Sequence, residues 1–366
     1  MNTNNDTMRQ AMRLMQAGDL QAATRTLQHA LVGGTGPAPA SPANDPPAGG
    51  ASRRPVIDGE FRVVGNGASR PTGTPPVDRA GTDSRHRFSC EAGALEYRLH
   101  VPQGLDTAGA PLLVMLHGCT QTPEDFALGT RMNRLAGEQG YVVAWPAQSV
   151  ERNQNRCWNW FRRGDQQRGQ GEPAMLAALT RELVATHRLD ARRVYVAGLS
   201  AGGAMAAVLA STHPDVYAAI GVHSGLPVGL ASNVPSAFAA MRSGGRGVRA
   251  SASAGDAVPA IVFHGDSDTT VHPGNGHGVV EQSLGESGAT TAGKSSTVQR
   301  SAAAGGRDAT RTVHRTADGR IAAEHWVIHG AGHAWSGGDG AGSYADPQGP
   351  DASAEMLRFF AGCRRS

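Results

Sequence analysis

Long apolar runs are absent from this chain of 366 residues. No window approaches the roughly 18 consecutive apolar residues that a membrane-spanning helix requires, so the sequence predicts no membrane span. Residues 1–12 are polar and lack the apolar core of a secretory signal peptide. This pattern favours a cytoplasmic protein.

Neither sign of charge dominates the chain. Lys and Arg number 34 against 31 Asp and Glu, which gives a net charge of +3. Arginines do cluster near Trp158 and Trp160, but Glu151 and Asp165 lie among them and no nucleic-acid-binding fold signature accompanies them. We therefore expect no nucleic-acid partner.

Cysteine is also scarce. The chain has four cysteines, namely Cys90, Cys119, Cys157 and Cys363. None of them forms a C-x-x-C motif, which argues against a zinc site and against thioredoxin-like chemistry. Four cysteines allow three pairings, and any disulfide requires an oxidising compartment.

The strongest functional signal is the segment Gly198-Leu199-Ser200-Ala201-Gly202. An apolar run at 194–197 precedes it, and a small-residue helical pattern follows. A strand that leads through G-x-S-x-G into a helix is typical of a nucleophile elbow, in which the turn exposes the serine hydroxyl. The segment therefore predicts Ser200 as a nucleophile, and a glycine-rich helix start is the alternative interpretation.

A nucleophilic serine needs a base and an acid that orients the base. In the α/β-hydrolase chain order, the acid follows the serine and the histidine comes last. The apolar run 259–265 predicts a strand, and Asp266 and Asp268 come directly after it. We favour Asp268 as the acid, because an Asp next to a strand-end glycine often caps its own turn, which is the role expected for Asp266.

The histidine is selected by its place in the chain. His333 lies in a glycine-rich loop just after a predicted last strand at 325–328, where its imidazole can reach the serine. His264 lies within a strand signal, so a packing role suits it better. The sequence thus predicts Ser200, Asp268 and His333 as a catalytic triad.

The strand predicted at 112–116 leads into His117-Gly118-Cys119. In this architecture the oxyanion hole takes one amide from the residue after the nucleophile and one from the loop after an early strand. The corresponding donors are the amides of Ala201 and Cys119, and a simple turn is the alternative for this loop.

Five segments carry a family resemblance: His117-Gly118-Cys119-Thr120-Gln121, Cys157-Trp158-Asn159-Trp160-Phe161, Gly198-Leu199-Ser200-Ala201-Gly202-Gly203, the stretch 263–273, and Gly332-His333-Ala334-Trp335-Ser336-Gly337-Gly338. In this order they resemble the polyhydroxybutyrate (PHB) depolymerase family of esterases. The resemblance covers residues 84–363 and gives Ser200, Asp268 and His333 as the triad, with Cys119 at the oxyanion hole.

The resemblance implies an α/β-hydrolase fold, with a mostly parallel central sheet and helices on both faces. It implies a serine esterase that hydrolyses short-chain hydroxyalkanoate polyester or oligomer through an acyl-enzyme and needs no metal or organic cofactor. Feruloyl and acetylxylan esterases resemble the same family and supply the alternative function. A non-catalytic polymer- or granule-binding protein is the alternative of another class. The family and the cysteines also allow an extracellular location.

The loops near these motifs carry further predictions. Trp158, Asn159 and Trp335 are predicted substrate contacts, and half-buried packing is the alternative for Trp158 and Trp160. A disulfide between Cys119 and Cys157 would brace the oxyanion loop. One between Cys90 and Cys363 would join the ends of the domain, and four free thiols are the alternative.

Three regions follow one another along the chain. Residues 1–32 carry apolar residues at helical spacing and predict a short helical segment. Residues 33–83 are rich in Pro, Gly, Ala and Ser and predict a disordered linker. Residues 84–363 form the predicted catalytic domain, in which 243–256 and 285–308 are predicted surface loops.

Residues 1–32 are predicted to pack on the parent domain or to attach to polymer granules. If they attach to granules, deleting them lowers the fraction of protein that sediments with PHB granules, because an apolar helix face supplies surface affinity. Unchanged sedimentation would remove the granule interpretation and leave the packing one.

Overall fold

The computed structural model describes residues 81–245, 257–285, 295–301 and 306–365. The predicted helical segment 1–32 lies outside these residues, as do nearly all of the predicted linker and most of the predicted loop 243–256. No helix among the described residues has the length and apolar character needed to cross a membrane.

The domain is built on a ten-stranded sheet. Its strands are β1 Thr82–Cys90, β2 Gly93–Val101, β3 Leu112–Leu116, β4 Val142–Ala147, β5 Val194–Leu199, β6 Ala219–His223, β7 Ala260–Gly265, β8 Ser295–Ser301, β9 Ala309–Arg315 and β10 Ile321–Ile328. They lie in the order β1-β2-β4-β3-β5-β6-β7-β10-β9-β8. The strands from β4 to β10 in this order are parallel, and antiparallel strands complete both edges.

Helices connect the strands. They are α1 Pro123–Thr130, α2 Met132–Glu138, α3 Gly171–Thr186, α4 Ala201–Thr212, α5 Val234–Ser243, α6 Gly274–Leu284 and α7 Ala352–Ala361, with a 3-10 turn at Arg163–Gln166. A second, two-stranded sheet pairs β11 Trp335–Ser336 with β12 Ala345–Asp346.

The sheet separates two hydrophobic cores, as strand β3 illustrates. Leu112, Val114 and Leu116 pack into one core together with residues of α3, α4 and α6. Leu113 and Met115 pack into the other, together with residues of α1, α2 and α7. Successive side chains of a strand point to opposite faces, so a continuous apolar run is buried on both sides of a parallel sheet. This arrangement confirms the predicted α/β class, with helices on both faces.

The parallel strands bring the predicted site residues to one edge of the sheet. Cys119 follows β3, Ser200 follows β5, Asp268 follows β7 and His333 follows β10. Because the carboxyl ends of parallel strands meet at the same edge, four segments distant in sequence converge there.

The sheet edges differ from the sequence expectation. The predicted loop 285–308 contains strand β8, which pairs with β9, and β1 begins at Thr82, inside the predicted linker. Strand β10 begins at Ile321, before the predicted 325, and β11 and β12 follow it. The edge strands β1 and β8 are rich in polar residues, so neither shows the apolar run that marked the central strands.

Candidate active site

Ser200 occupies a strained turn between β5 and α4. Its φ of 57° and ψ of −118° place it in a region that residues with a Cβ rarely adopt. The Ser200 amide donates to the carbonyl of His223, with 2.9 Å between N and O. Ala201 opens the helix, so its own amide has no partner within the helix.

The two glycines of the motif are required by close backbone packing. A Cβ on Gly202 would collide with the carbonyl of Leu116 at the end of β3, and a Cβ on Gly198 would collide with the backbone of Gly202. The elbow therefore packs main chain against main chain, which explains the glycine on each side of Ser200.

Asp268 and His333 form a hydrogen-bonded pair. Nδ1 of His333 donates to Oδ2 of Asp268 over 2.7 Å, while Oδ1 of Asp268 accepts from the amides of Thr270 and Val271, each over 2.9 Å. Burial favours a raised pKa for this carboxyl, but hydrogen bonds from His264 and His333 hold its pKa well below the usual range. The carboxylate is therefore charged, and Nε2 of the imidazole is left for proton transfer.

Asp266 has a different task. Its carboxylate accepts from Nδ1 of His329 over 2.9 Å and from the amide of Gly330 over 2.7 Å. Asp266 also accepts from the hydroxyl of Ser267 in its own turn over 3.2 Å, so its carboxylate serves both the predicted turn and the loop after β10.

His264 contacts the same carboxylate as His333. Its buried Nε2 donates to the carbonyl of Val271 over 2.9 Å and lies 3.4 Å from Oδ2 of Asp268. The strand position predicted for His264 agrees with its place in β7, but its contact with Asp268 was not predicted. Only the tertiary fold shows that contact, because strand patterning marks His264 as a buried residue and nothing more.

The loop after β3 lies beside Ser200. A Cβ placed on Gly118 would be 3.6 Å from Cβ of Ser200. The Gly118 amide donates to Oε1 of Gln121 over 2.9 Å, and the Thr120 amide donates to the carbonyl of Asn155 over 2.7 Å. Among the hydrogen bonds of the described residues, none uses the amide of Cys119, which lies between these two.

His117 fixes this loop as a neutral imidazole. Nδ1 donates to the carbonyl of Gly118 over 2.8 Å, and Nε2 accepts from the amide of Gln148 over 3.1 Å. Burial is the main cause that lowers the pKa of His117 to about 4. The indole of Trp158 donates to the carbonyl of His117 over 3.1 Å, so both sides of the loop are held.

A disulfide joins Cys119 to Cys157, and thereby ties the loop after β3 to the segment after β4. Cys90 and Cys363 are free thiols, so the expected bridge between these two is wrong. Cys363 is partly buried, and burial raises the pKa of its thiol to about 12.

The predicted substrate contacts are buried instead. Trp158 is 0% exposed, and Asn159 and Trp335 are each 1% exposed. The indole of Trp335 donates to Oγ of Ser353 over 3.1 Å. These side chains pack in the interior next to the site, and their contact with substrate stays a prediction.

Glu172 anchors the segment that contains Asn159. Its carboxylate accepts from the Asn159 amide over 2.7 Å and from the side chains of Asn159 and Gln148, each over 2.5 Å. Burial raises the pKa of Glu172. The main-chain amide of Gln148 in turn donates to Nε2 of His117, so this network of hydrogen bonds reaches the loop beside Ser200.

His223 holds the other side of the site. Its Nε2 accepts from the amide of Ser336 over 3.0 Å, and its Nδ1 donates to Oγ of Ser224 over 3.1 Å. Burial is the main cause that lowers the pKa of His223 to about 3. Because its carbonyl also accepts from Ser200, this residue links the elbow to the strand after the His333 loop. The sequence analysis missed it, although its position at a strand end was a usable signal.

A serine at a strand-to-helix elbow, with an Asp–His pair after later parallel strands, places the molecule in the α/β-hydrolase class. Acetyl xylan esterase from Aspergillus awamori has the same fold, with a TM-score of 0.56 at 18% identity, over 76% of this chain and 99% of that one. The family model for esterase PHB depolymerases matches residues 95–313. The chain belongs to this family.

Two curated relatives are similar in sequence. Poly(3-hydroxyalkanoate) depolymerase C of Paucimonas lemoignei is 37% identical over 259 residues, which cover 67% of this chain and 60% of that protein. Feruloyl esterase B of Thermothelomyces thermophilus is 30% identical over 195 residues, which cover 49% of this chain and 66% of that protein. The chain therefore spans less than two thirds of the length of either relative.

The two neighbouring aspartates offer a matched test of the Asp–His pair. We expect Asp268→Asn to lower kcat for p-nitrophenyl butyrate by about 10⁴-fold, because an amide favours the wrong imidazole tautomer. Asp266→Asn should lower kcat far less, since Asp266 bonds His329 and Gly330 and not His333, and the amide oxygen of Asn can still accept from the Gly330 amide. Equal losses in the two variants would contradict the assignment.

The disulfide predicts a stability difference. Replacing both Cys119 and Cys157 by Ser should lower the free energy of unfolding by about 2–4 kcal/mol, because the bridge constrains the unfolded chain. Urea denaturation measures the change, and Cys90→Ser is the control because Cys90 is a free thiol. Dithiothreitol should destabilise the native chain and not the double variant. A double variant as stable as the native chain would contradict the expectation.

Proposed function

We propose that this protein is a serine esterase that hydrolyses short-chain hydroxyalkanoate polyester or its oligomers. The observation that carries the proposal is the bond between His333 and Asp268 on loops at the same sheet edge as the Ser200 elbow. A nucleophile, a base and an acid in this chain order are the requirements of acyl transfer.

In the first half-reaction, Ser200 attacks the ester carbonyl while Nε2 of His333 takes the hydroxyl proton. Asp268 stabilises the imidazolium that forms, because its carboxylate already accepts from Nδ1. His333 then gives the proton to the departing alcohol, and an acyl-enzyme remains on Ser200.

The oxyanion is stabilised by the amides of Ala201 and Cys119. The Ala201 amide is at a helix start, and the Cys119 amide is left without a partner among the described residues. Removal of one such donor typically costs about 2.7–4 kcal/mol of transition-state stabilisation. The disulfide at Cys119 and the hydrogen bonds of His117 hold this part of the main chain in place.

In the second half-reaction, His333 activates a water molecule, which attacks the acyl-enzyme and releases the acid. The same two amides stabilise the second tetrahedral intermediate. None of these steps calls on a group beyond the residues named and water.

The substrate class rests on the relatives. The Paucimonas lemoignei relative is named a poly(3-hydroxyalkanoate) depolymerase, which supports the polyester. The Thermothelomyces thermophilus relative is named a feruloyl esterase, which supports an aryl ester as the second candidate. We propose attachment to polymer granules through residues 1–32 as a further property; those residues lie outside the described part of the chain.

The test compares the native chain with Ser200→Ala on two substrates, p-nitrophenyl butyrate and amorphous PHB. Ser211→Ala is the matched control, because Ser211 is an exposed serine of helix α4, which begins directly after Ser200. We expect the native chain and the control to cleave the small ester and to release 3-hydroxybutyrate, and Ser200→Ala to do neither.

Two other results would change the assignment. Cleavage of the small ester alone would reject the polyester and favour the aryl or acetyl esters. Absence of cleavage by the native chain would reject the esterase and favour the non-catalytic binding protein.

A further inference from the structure

A buried glutamine connects the loop beside Ser200 with a second loop of the site. Oε1 of Gln121 accepts from the amide of Gly118 over 2.9 Å, and its Nε2 donates to the carbonyl of Ser343 over 3.0 Å. The Ser343 amide also donates to Oδ1 of Asp125 over 2.8 Å. Ser343, the residue before Tyr344, is therefore held by the side chains of Gln121 and Asp125.

Tyr344 itself is held in an unfavourable backbone conformation. Its φ is 52°, a left-handed value that is rare for a bulky aromatic residue. Its carbonyl accepts from the Trp335 amide over 2.6 Å, which secures the residue from the other direction. Strain of this kind persists only where surrounding contacts determine the conformation, and it is concentrated at functional sites.

The side chain of Tyr344 lies beside the proposed base. The rings of Tyr344 and His333 have centroids 6.4 Å apart at an interplanar angle of 80°, an edge-to-face contact. Tyr344 is nevertheless 48% exposed. An aromatic surface held at the imidazole and open to solvent is available to a ligand.

The chemistry at His333 indicates which part of an ester lies there. Nδ1 is occupied by Asp268, so the imidazole transfers the proton to the alcohol through Nε2. The alcohol part must consequently lie next to the imidazole, whereas the acyl part becomes attached to Ser200.

We propose that Tyr344 forms a wall of the subsite for the alcohol part of the ester and favours alcohols with an extended apolar surface over methanol. This inference rests on the proposed esterase function. In a hydroxyalkanoate polyester, the alcohol part is the next unit of the chain, whose methyl and methylene groups would pack on the ring.

The test uses methyl butyrate and benzyl butyrate, which give the same acyl-enzyme and differ only in the alcohol. We expect Tyr344→Ala to lower the ratio of kcat/KM for benzyl butyrate to kcat/KM for methyl butyrate by about three- to tenfold, the range of one aromatic contact. Under conditions where deacylation limits turnover, kcat for benzyl butyrate should change less than kcat/KM, because the alcohol has already left.

Two further variants control the experiment. Tyr344→Phe should keep the native ratio, since it retains the ring and makes the same demand on the backbone. Val298→Ala should also keep it, because Val298 is an exposed residue of β8, at the outer edge of the sheet.

Equal losses on both esters in Tyr344→Ala would overturn the inference and assign Tyr344 a merely structural role. A lowered ratio of the two kcat/KM values in Tyr344→Phe would also overturn the inference, because the hydroxyl rather than the ring would then select the alcohol. If the native chain cleaves neither ester, the proposed function itself fails and the inference fails with it. Activity on methyl butyrate distinguishes these two kinds of failure.

Discussion

The contact between the first turn of α4 and the end of β3 determines the geometry of the site. Gly202 lies so close to the Leu116 carbonyl that no side chain fits between them. Ser200 and the loop that begins at His117 are therefore positioned by adjacent stretches of main chain. The distance between Ser200 and the oxyanion loop is consequently set by close packing of main chain against main chain. No flexible side chain lies between the two segments at this contact.

Two buried imidazoles perform the same task on opposite sides of this contact. His117 and His223 each accept a backbone amide at Nε2, from Gln148 and Ser336 respectively, and each donates from Nδ1. Burial lowers the pKa of both groups, so both remain neutral donor–acceptor bridges at pH 7. The imidazole of His333, by contrast, has part of its surface in solvent.

The sequence was most informative where chemistry requires a particular residue at a particular strand end. Its motifs predicted the elbow around Ser200 and the choice of Asp268 as the partner of His333. The hydrogen bonds that Trp158 and Asn159 make in the interior were not predicted, because the types of these residues suit a buried position and a binding surface equally. The contact of His264 with Asp268 depends on how β7 and its following loop fold back, and composition carries no signal for that. The polar edge strands were missed because their pairing partners, rather than an apolar pattern, stabilise them.

The turn after β7 carries two carboxylates that hold different points of one later segment. Asp266 accepts hydrogen bonds from His329 and Gly330 of this segment, and Asp268 accepts one from His333. A body attached at one point can still swivel about it, whereas attachment at two separated points removes that rotation. The segment after β10 is therefore attached at two separated points, and this double attachment restricts the direction of the His333 imidazole.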